Sequence, residues 1–238
     1  LEMVTAQSAY LSDNDKETIT VTIPNKTDLN SVELEVSAAP SITASLLSSM
    51  DDLIGYPYGC VEQTMSRFLP NVIVANTLKT IGGSYKTNID KGELTKMVEQ
   101  GCKRLSELQH KNDGGWGWWS QDGSHPFMTA YVFNGLHLAK KAGYPIIHDS
   151  YSQGKKRLEQ FITSGNSGDE TTFAFQMMVA MQSDMTHLWK YKKAPKKDAD
   201  AYEVALWLQA AVLADDKELE KEMLTRLEEM VIENGVFN

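Results

Sequence analysis

Tyr56-Pro57-Tyr58-Gly59-Cys60-Val61-Glu62-Gln63 is the stretch on which the reading of this chain turns. It sets a thiol, Cys60, and a primary carboxamide, Gln63, three positions apart, so the two side chains can meet across one helical turn. Two outcomes follow from that spacing. The groups can condense with loss of ammonia into an internal thioester, an acyl donor held for the first nucleophile that reaches it. Alternatively, Cys60 is a buried thiol and Gln63 a helix-surface amide, and they never bond. The five residues Gly59–Gln63 alone leave both open.

A thioester survives only if water is kept away. The neighbouring residues supply candidate shields: Tyr56 and Tyr58 before the cysteine, Met65 and Phe68 after it. Large aromatic surfaces exclude water, and a tyrosine hydroxyl can reach a polar partner at the rim. Pro57 fixes the backbone ahead of the site, and Gly59 permits a tight approach just before Cys60. In such a bond Cys60 supplies a sulfur that departs as thiolate, and Gln63 supplies the acyl carbon. Glu62 faces away from the pair and receives no role. The chemistry is that of an activated acyl group consumed in one use, unlike the turnover of a cysteine hydrolase.

From about residue 41 onward the periodicity predicts helices over 43–54, 60–80, 91–110, 126–142, 150–164, 170–183, 199–214 and 217–232. Some are apolar on one side only, as over 91–110. Others are apolar nearly all round, with Phe173, Phe175, Met177, Met178, Val179 and Met181 in one and Val204, Leu206, Trp207, Leu208, Val212 and Leu213 in another. A helix apolar all round has to be covered on every side. Alternation of the two kinds predicts an inner ring of helices wrapped by an outer one, an incomplete α/α toroid in a mainly α chain. A faint repeat agrees: Leu105-Ser106-Glu107-Leu108 with Asn112-Asp113-Gly114-Gly115-Trp116 parallels Leu227-Glu228-Glu229-Met230 with Asn234-Gly235-Val236-Phe237. Ahead of the helices, residues 16–38 alternate in the β manner around the turn-rich Pro24–Ser31. Two strands are not a stable domain, so residues 1–38 are expected to be a β segment of an adjoining domain and 39–238 the helical domain. Asn25-Lys26-Thr27 matches a glycosylation sequon, a weak pattern.

Composition narrows the function classes. Of 238 residues, 42% are apolar and 23% charged, as in ordinary globular chains, and the net charge of −9 argues against non-specific nucleic-acid binding. No run approaches the roughly 20 apolar residues a membrane span requires. With no basic and apolar leader at its start, the chain is expected to be a piece of a longer protein whose export signal would lie upstream. Two cysteines, Cys60 and Cys102, are too few for a disulfide scaffold. A Cys60–Cys102 bridge is the plain alternative to a thioester, although Cys102 shares an apolar face with Leu94, Met97, Val98, Leu105 and Leu108. No His or Cys pair has zinc-ligand spacing, so neither a metal nor another cofactor is expected. Lys190–Lys197 is a basic run, read as a solvated loop ended by Pro195, with a docking surface for an acidic partner as the rival reading.

The segment Tyr56–Gln63, with its sequel Ser66-Arg67-Phe68-Leu69-Pro70, resembles the thioester site of the alpha-2-macroglobulin and complement family, in its bacterial branch. A second series, Leu108-Gln109, Asp113-Gly114-Gly115-Trp116-Gly117-Trp118-Trp119 and Thr129-Ala130-Tyr131-Val132, is similar to one in thioester domains. It reads as a glycine turn with aromatic packing, from which Trp118 and Trp119 can help wall the site. Val61 departs from the animal pattern, where glycine is usual. The resemblance covers roughly residues 36–238. It implies a protease inhibitor, not an enzyme, that traps target proteases and couples them covalently through a Cys60–Gln63 thioester. It implies partners in the other domains of the same long chain, and a periplasmic, cell-surface or secreted location. In some family members a histidine attacks the thioester first. Of His110, His125, His137, His148 and His187, only His125 and His148 are near candidates, and without such a residue the acyl group prefers amines. Two rivals remain: an enzyme on the same toroid, for which Asp51-Asp52 is the only adjacent acidic pair near the site, and a scaffold without a live thioester.

Overall fold

The computed structural model describes residues 54–81, 90–193 and 195–232, the pair 236–237, and isolated positions between 18 and 33. The chain divides into two compact units, Leu1–Ser45 and Leu46–Asn238, and the helices described below belong to the second. The expected strands over 16–38 and the sequon fall, but for isolated positions, outside the described residues, as do the expected helix over 43–54 up to its last residue and Asp51-Asp52.

Among the described residues, seven α-helices and one 3-10 helix follow one another: α1 (Val61–Ile81), α2 (Lys91–Glu107), α3 (Pro126–Lys141), α4 (His148–Ser164), α5 (Glu170–Gln182), η1 (Thr186–Tyr191), α6 (Ala201–Leu213) and α7 (Lys217–Met230). Their starts are encoded locally. Asp90 accepts hydrogen bonds from the Gly92 and Glu93 amides at 2.7 and 3.0 Å, Asp169 from Thr172 at 2.7 Å, and Asp200 from Glu203 at 2.8 Å. Each side chain satisfies helix N–H groups that have no partner inside the helix. Pro126 opens α3, where its missing N–H costs nothing. That helix closes in a Schellman turn, with the Tyr144 amide on the Ala139 carbonyl at 3.0 Å and the Gly143 amide on Lys140 at 3.0 Å.

The packing order is that of an α/α toroid. Helices α1, α3, α5 and α6 pack on one another in succession as the inner layer, while α2 backs α1, α4 backs α3, and α7 backs α6. The two helices read as apolar nearly all round, α5 and α6, both lie in the inner layer, and ten of the thirteen residues of α5 are buried. The outer helices bury single stripes, such as Leu94, Met97, Val98, Gly101, Cys102 and Leu105 on α2. In the third hairpin the six residues of η1 stand where the outer layer calls for a full helix. The periodicity predicts no helix there, and only Lys190 and Tyr191 of these six belong to the basic run.

Most ends fall within two residues of expectation, and two of the differences have a visible cause. Helix α2 stops at Glu107 rather than 110 because His110 turns back: its amide donates to the Gly115 carbonyl at 3.0 Å, and its own carbonyl accepts from Gly114 at 2.9 Å. Helix α7 stops at Met230 rather than 232. Val231–Ile232 instead pairs antiparallel with Val236–Phe237, Val231 opposite Phe237 and Ile232 opposite Val236. Two apolar pairs, three of their four residues β-branched, flank a glycine-containing connection, which favours a hairpin over another helical turn.

Candidate functional site

Cys60 is the N-cap residue of α1. The first helical hydrogen bond runs from the Thr64 amide to the Cys60 carbonyl at 2.9 Å. Gln63, third in the helix, folds its side chain back so that Oε1 accepts from the Cys60 amide at 3.2 Å. This is half of a capping box, the arrangement in which residues N-cap and N3 exchange side-chain and backbone hydrogen bonds. In this instance the N-cap side chain is a thiol and the N3 side chain a carboxamide. Gly59, at φ +91°, makes the fold-back possible: a Cβ there would sit 2.1 Å from Gln63 Oε1 and 3.0 Å from its Cδ. Cys60 is buried and Gln63 exposed, so the pair straddles the surface.

Four side chains from elsewhere hold this turn. The fully buried Asn71 of α1 donates to the Gly55 carbonyl at 2.8 Å and accepts from the Gly55 amide at 3.3 Å, pinning the incoming strand of chain to the helix. Arg104 of α2 donates to the Gly59 carbonyl at 3.2 Å. The Val61 amide, at the first helical position beside Cys60, donates to the Trp118 carbonyl at 2.9 Å. Asp122 in turn accepts from the Trp118 and Trp119 amides at 2.8 and 3.1 Å, and His110 stands behind Asp122 at 3.1 Å. Sequence reasoning missed all four of Asn71, Arg104, Asp122 and His110 as parts of the site. Asn71 and Arg104 act on backbone atoms 16 and 45 positions away, and Asp122 and His110 reach the turn only through the Trp118 carbonyl, so no local spacing marks them.

The sequence-derived candidates separate into two groups. Met65 and Phe68 are fully buried beneath the turn, where Gly135 of α3 leaves room for both and Gly101 of α2 for Phe68. Tyr56 and Tyr58 stack on each other at 5.8 Å between ring centroids, but Tyr58 is 71% exposed and Tyr56 only leans on Glu93. Trp118 and Trp119 are 44% and 52% exposed, and Trp118 meets the His125 ring edge-on at 4.9 Å. Trp118 meets the turn through its backbone carbonyl. An aromatic apron thus borders the Cys60 turn. Glu62 accepts from Ser66 at 2.6 Å, away from the thiol.

The second sequence series is architectural. The Trp116 indole, fully buried, donates to the Leu105 carbonyl at 2.7 Å, and its amide donates to the Thr129 hydroxyl at 3.0 Å. Gln109 donates to the Gly114 and Ser150 carbonyls at 2.7 and 2.9 Å. Cys102 is a free, buried thiol whose ionisation burial pushes up to about 12, with the nearby Glu99 charge adding to the rise. Cys60 is likewise free, and no disulfide joins the two.

The histidines scatter. His125 precedes α3, with its Nδ1 buried and unpartnered. His137 meets the Tyr151 hydroxyl at 2.8 Å inside the core, where burial and the Lys141 charge lower its affinity for a proton. His148 is exposed at the start of α4, and His187 pairs with Glu159 at 2.9 Å. The basic run is partly tied down: Lys192 pairs with Asp216 and Lys196 with Glu170. Among the described residues no cluster of His, Cys, Asp or Glu is arranged to hold a metal ion, and no helix is long and apolar enough to cross a membrane.

Residues 33–182 match the family model of the A-macroglobulin TED domain. The alpha-2-macroglobulin of Thermotoga maritima is 39% identical over 120 residues, covering 50% of this chain and 7% of that protein. That of Escherichia coli strain K12 is 31% identical over 132 residues, covering 55% and 8%. Thioester-containing protein 1 allele R1 of Anopheles gambiae is 32% identical over 123 residues, covering 52% and 9%. The matched stretch is thus less than a tenth of each of these relatives. Among solved structures, trypsin-activated alpha-2-macroglobulin from Escherichia coli superposes with a TM-score of 0.59 at 21% identity, covering 74% of this chain and 13% of that one. Salmonella alpha-2-macroglobulin reacted with methylamine gives 0.59 at 20% identity, covering 78% and 13%. At such identity the likeness is one of fold.

Proposed function

Because the chain belongs to the A-macroglobulin TED domain family, we propose that Cys60 and Gln63 form an internal thioester and that the protein containing this domain couples attacking proteases to itself. In forming the bond, the Cys60 sulfur attacks Gln63 Cδ and the amide nitrogen leaves as ammonia. In using it, an amine attacks the same carbon, the C–S bond breaks with Cys60 leaving as thiolate, the acyl group passes to the amine, and the proton the amine loses is taken up by the thiolate. Lysine amines of the captured protein are the acceptors, since no histidine is placed against the pair among the described residues.

The observation that carries this reading is the half capping box: Gln63 folded over the Cys60 amide at 3.2 Å, with Gly59 leaving room. The fold has already turned the carboxamide toward the residue that bears the thiol, which is the proximity an intramolecular acyl transfer draws on. The exposure of Gln63 and of the tyrosine–tryptophan apron indicates where other domains of the longer protein cover the bond. We extend the proposal to a helical unit beginning near residue 39, a preceding β segment, and a periplasmic, cell-surface or secreted location, as the sequence resemblance implies.

Intact mass tests the chemistry. A live thioester leaves the chain lighter by one ammonia, and methylamine then adds its own mass. A chain bearing Glu at position 63, the hydrolysis product, is evidence that the bond formed and was lost. A chain at its full sequence mass, indifferent to methylamine and with both thiols titratable after unfolding, overturns the reading.

A further inference from the structure

One buried histidine near the thioester turn has its protonation state set by its neighbours. His110 is 4% exposed. Its Nε2 faces two acceptors, the Trp119 carbonyl at 2.8 Å and Asp122 Oδ1 at 3.1 Å, and therefore carries a proton. Its Nδ1 lies 2.9 Å from the Ser124 hydroxyl. That hydroxyl has a single proton, and it is spent on Asp113 Oδ1 at 2.6 Å. Asp113 is itself an acceptor throughout, taking the Gly115 amide at 3.0 Å and the Arg157 guanidinium at 3.2 Å. Burial raises its pKa, but Ser124, Gly115, Arg157 and His110 outweigh that and hold it below the ordinary carboxylate range. With Ser124 donating onward, Nδ1 has to donate as well. Both ring nitrogens are donors, which only the imidazolium provides.

We propose that His110 is held as an imidazolium between Asp122 and the Ser124–Asp113 pair, and that it positions the thioester turn by locking the Trp116–Ser124 loop onto the first turn of α1. The line of contacts is continuous. His110 fixes Asp122; Asp122 fixes the Trp118 and Trp119 amides; the Trp118 carbonyl takes the Val61 amide; Val61 adjoins Cys60. Gly117 belongs to the same device, because a Cβ there would fall 2.1 Å from Asp122 Oδ1. His110 touches neither the thiol nor the carboxamide. It is a positioning residue, and its bearing on the thioester rests on the reading of Cys60 and Gln63 given above.

Long-range 15N spectra of the histidine rings in the whole 238-residue chain, at neutral pH, read the first half of the proposal. His110 should show two protonated nitrogens in the parent and in Ser124→Thr, which keeps the hydroxyl. Ser124→Ala, which removes the Nδ1 acceptor, should move it toward a neutral tautomer. A neutral ring in the parent, or the same spectrum in Ser124→Ala, overturns it. Amide hydrogen exchange reads the second half. In His110→Gln the Val61 amide should exchange about tenfold faster or more, the scale of one lost hydrogen bond to a charged group, while the Met177 amide in α5 keeps its rate. Should His110→Gln not fold, Asp122→Ala serves for the same measurement. Unchanged Val61 exchange overturns the locking role. Neither readout needs a thioester, so a chain that never loses ammonia leaves this proposal standing and sinks only the reading of Cys60 and Gln63. Where the bond does form, its hydrolysis should quicken in His110→Gln, and an unaltered half-life overturns the link to the site.

Discussion

Gly59→Ala is the sharpest test of the proposed chemistry, because it keeps both reacting side chains and alters only the space between them. At φ +91° an L-residue sits in a region it rarely occupies, at a cost of about 1–3 kcal/mol. The new methyl group would also stand 2.1 Å from Gln63 Oε1, inside any van der Waals contact. Either the backbone rotates and the Cys60 turn opens, or Gln63 swings out and its bond to the Cys60 amide is lost, worth about 1 kcal/mol. Taking about 2 kcal/mol for the cheaper combination, the closed turn loses about thirtyfold against the open one. For a chain of this size that is a fall of about 4–8 °C in Tm. Intact mass over a time course after synthesis measures how much chain loses ammonia, and a thermal melt followed by circular dichroism measures the rest. Thioester formation in Gly59→Ala at the parent's extent and rate would show that the fold-back of Gln63 does not prepare the bond.

Cys60→Ala and Gln63→Ala should each abolish the methylamine-sensitive mass while leaving helical content at the parent's level, since Met65 and Phe68, not the reacting pair, fill the core beneath α1; covalent adducts in either variant would contradict this. Cys102 should resist thiol reagents in the folded chain near pH 8 and react once unfolded, because burial pushes its ionisation up to about 12; modification of the folded protein at Cys102 by mass mapping would refute it. Tyr58→Ala in this chain alone should leave the thioester's half-life unchanged, since a side chain 71% exposed excludes little water; faster decay would restore to Tyr58 the shielding role its position suggests. Asp216→Asn should narrow the pH range of stability. Lys192 first, then the Leu219 amide and the Trp189 indole, hold the Asp216 carboxyl down to about 2. A depressed carboxyl stabilises the fold above its unfolded pKa, near 4, and loses that contribution as pH falls through 2. Lys192 is largely in solvent, so the effect discounts to about 1 kcal/mol. Urea melts of parent and variant should differ by that amount at pH 7 and converge toward pH 2; a constant gap would place the effect elsewhere.

How much of this was legible before the structure differs by element. The helices with an aspartate N-cap and a clean apolar stripe, α2 above all, announce themselves because cap and stripe are local signals. The alternation of stripes with wholly apolar helices carried the toroid, because a helix without a polar face has only one place to go. The six residues of η1 escaped because a 3-10 turn is too short to show a period and lies against a lysine-rich run. The end of α7 was misread because Val231-Ile232 continues an apolar helix pattern equally well, and only its pairing with Val236–Phe237 separates the two. At the site, Cys60 and Gln63 are readable from spacing. Asn71 and Arg104 are not, because each serves a backbone atom brought near by the fold, across 16 and 45 positions; Asp122 and His110 are not, because their loop meets the turn only where the Trp118 carbonyl takes the Val61 amide.

The half capping box also bears on why such a bond would sit at this place. In an ordinary capping box the two side chains reach each other's backbone and stop there. Replace the hydroxyl with a thiol and the carboxylate with a carboxamide, and the same geometry brings a nucleophile and an acyl carbon together without new architecture. The helix that follows is 21 residues long. Its amino end carries the positive end of the helix dipole and favours negative charge nearby, and the residue that would release a thiolate is the one at that end. Opening the proposed thioester would therefore discharge an anion where the helix end favours one, while the Trp118 carbonyl and Arg104 hold the backbone on either side of Cys60. A thiol moved one residue to either side would lose both the meeting with Gln63 and the N-cap position, which is why three residues of spacing, rather than the mere presence of a cysteine and a glutamine, bears the argument.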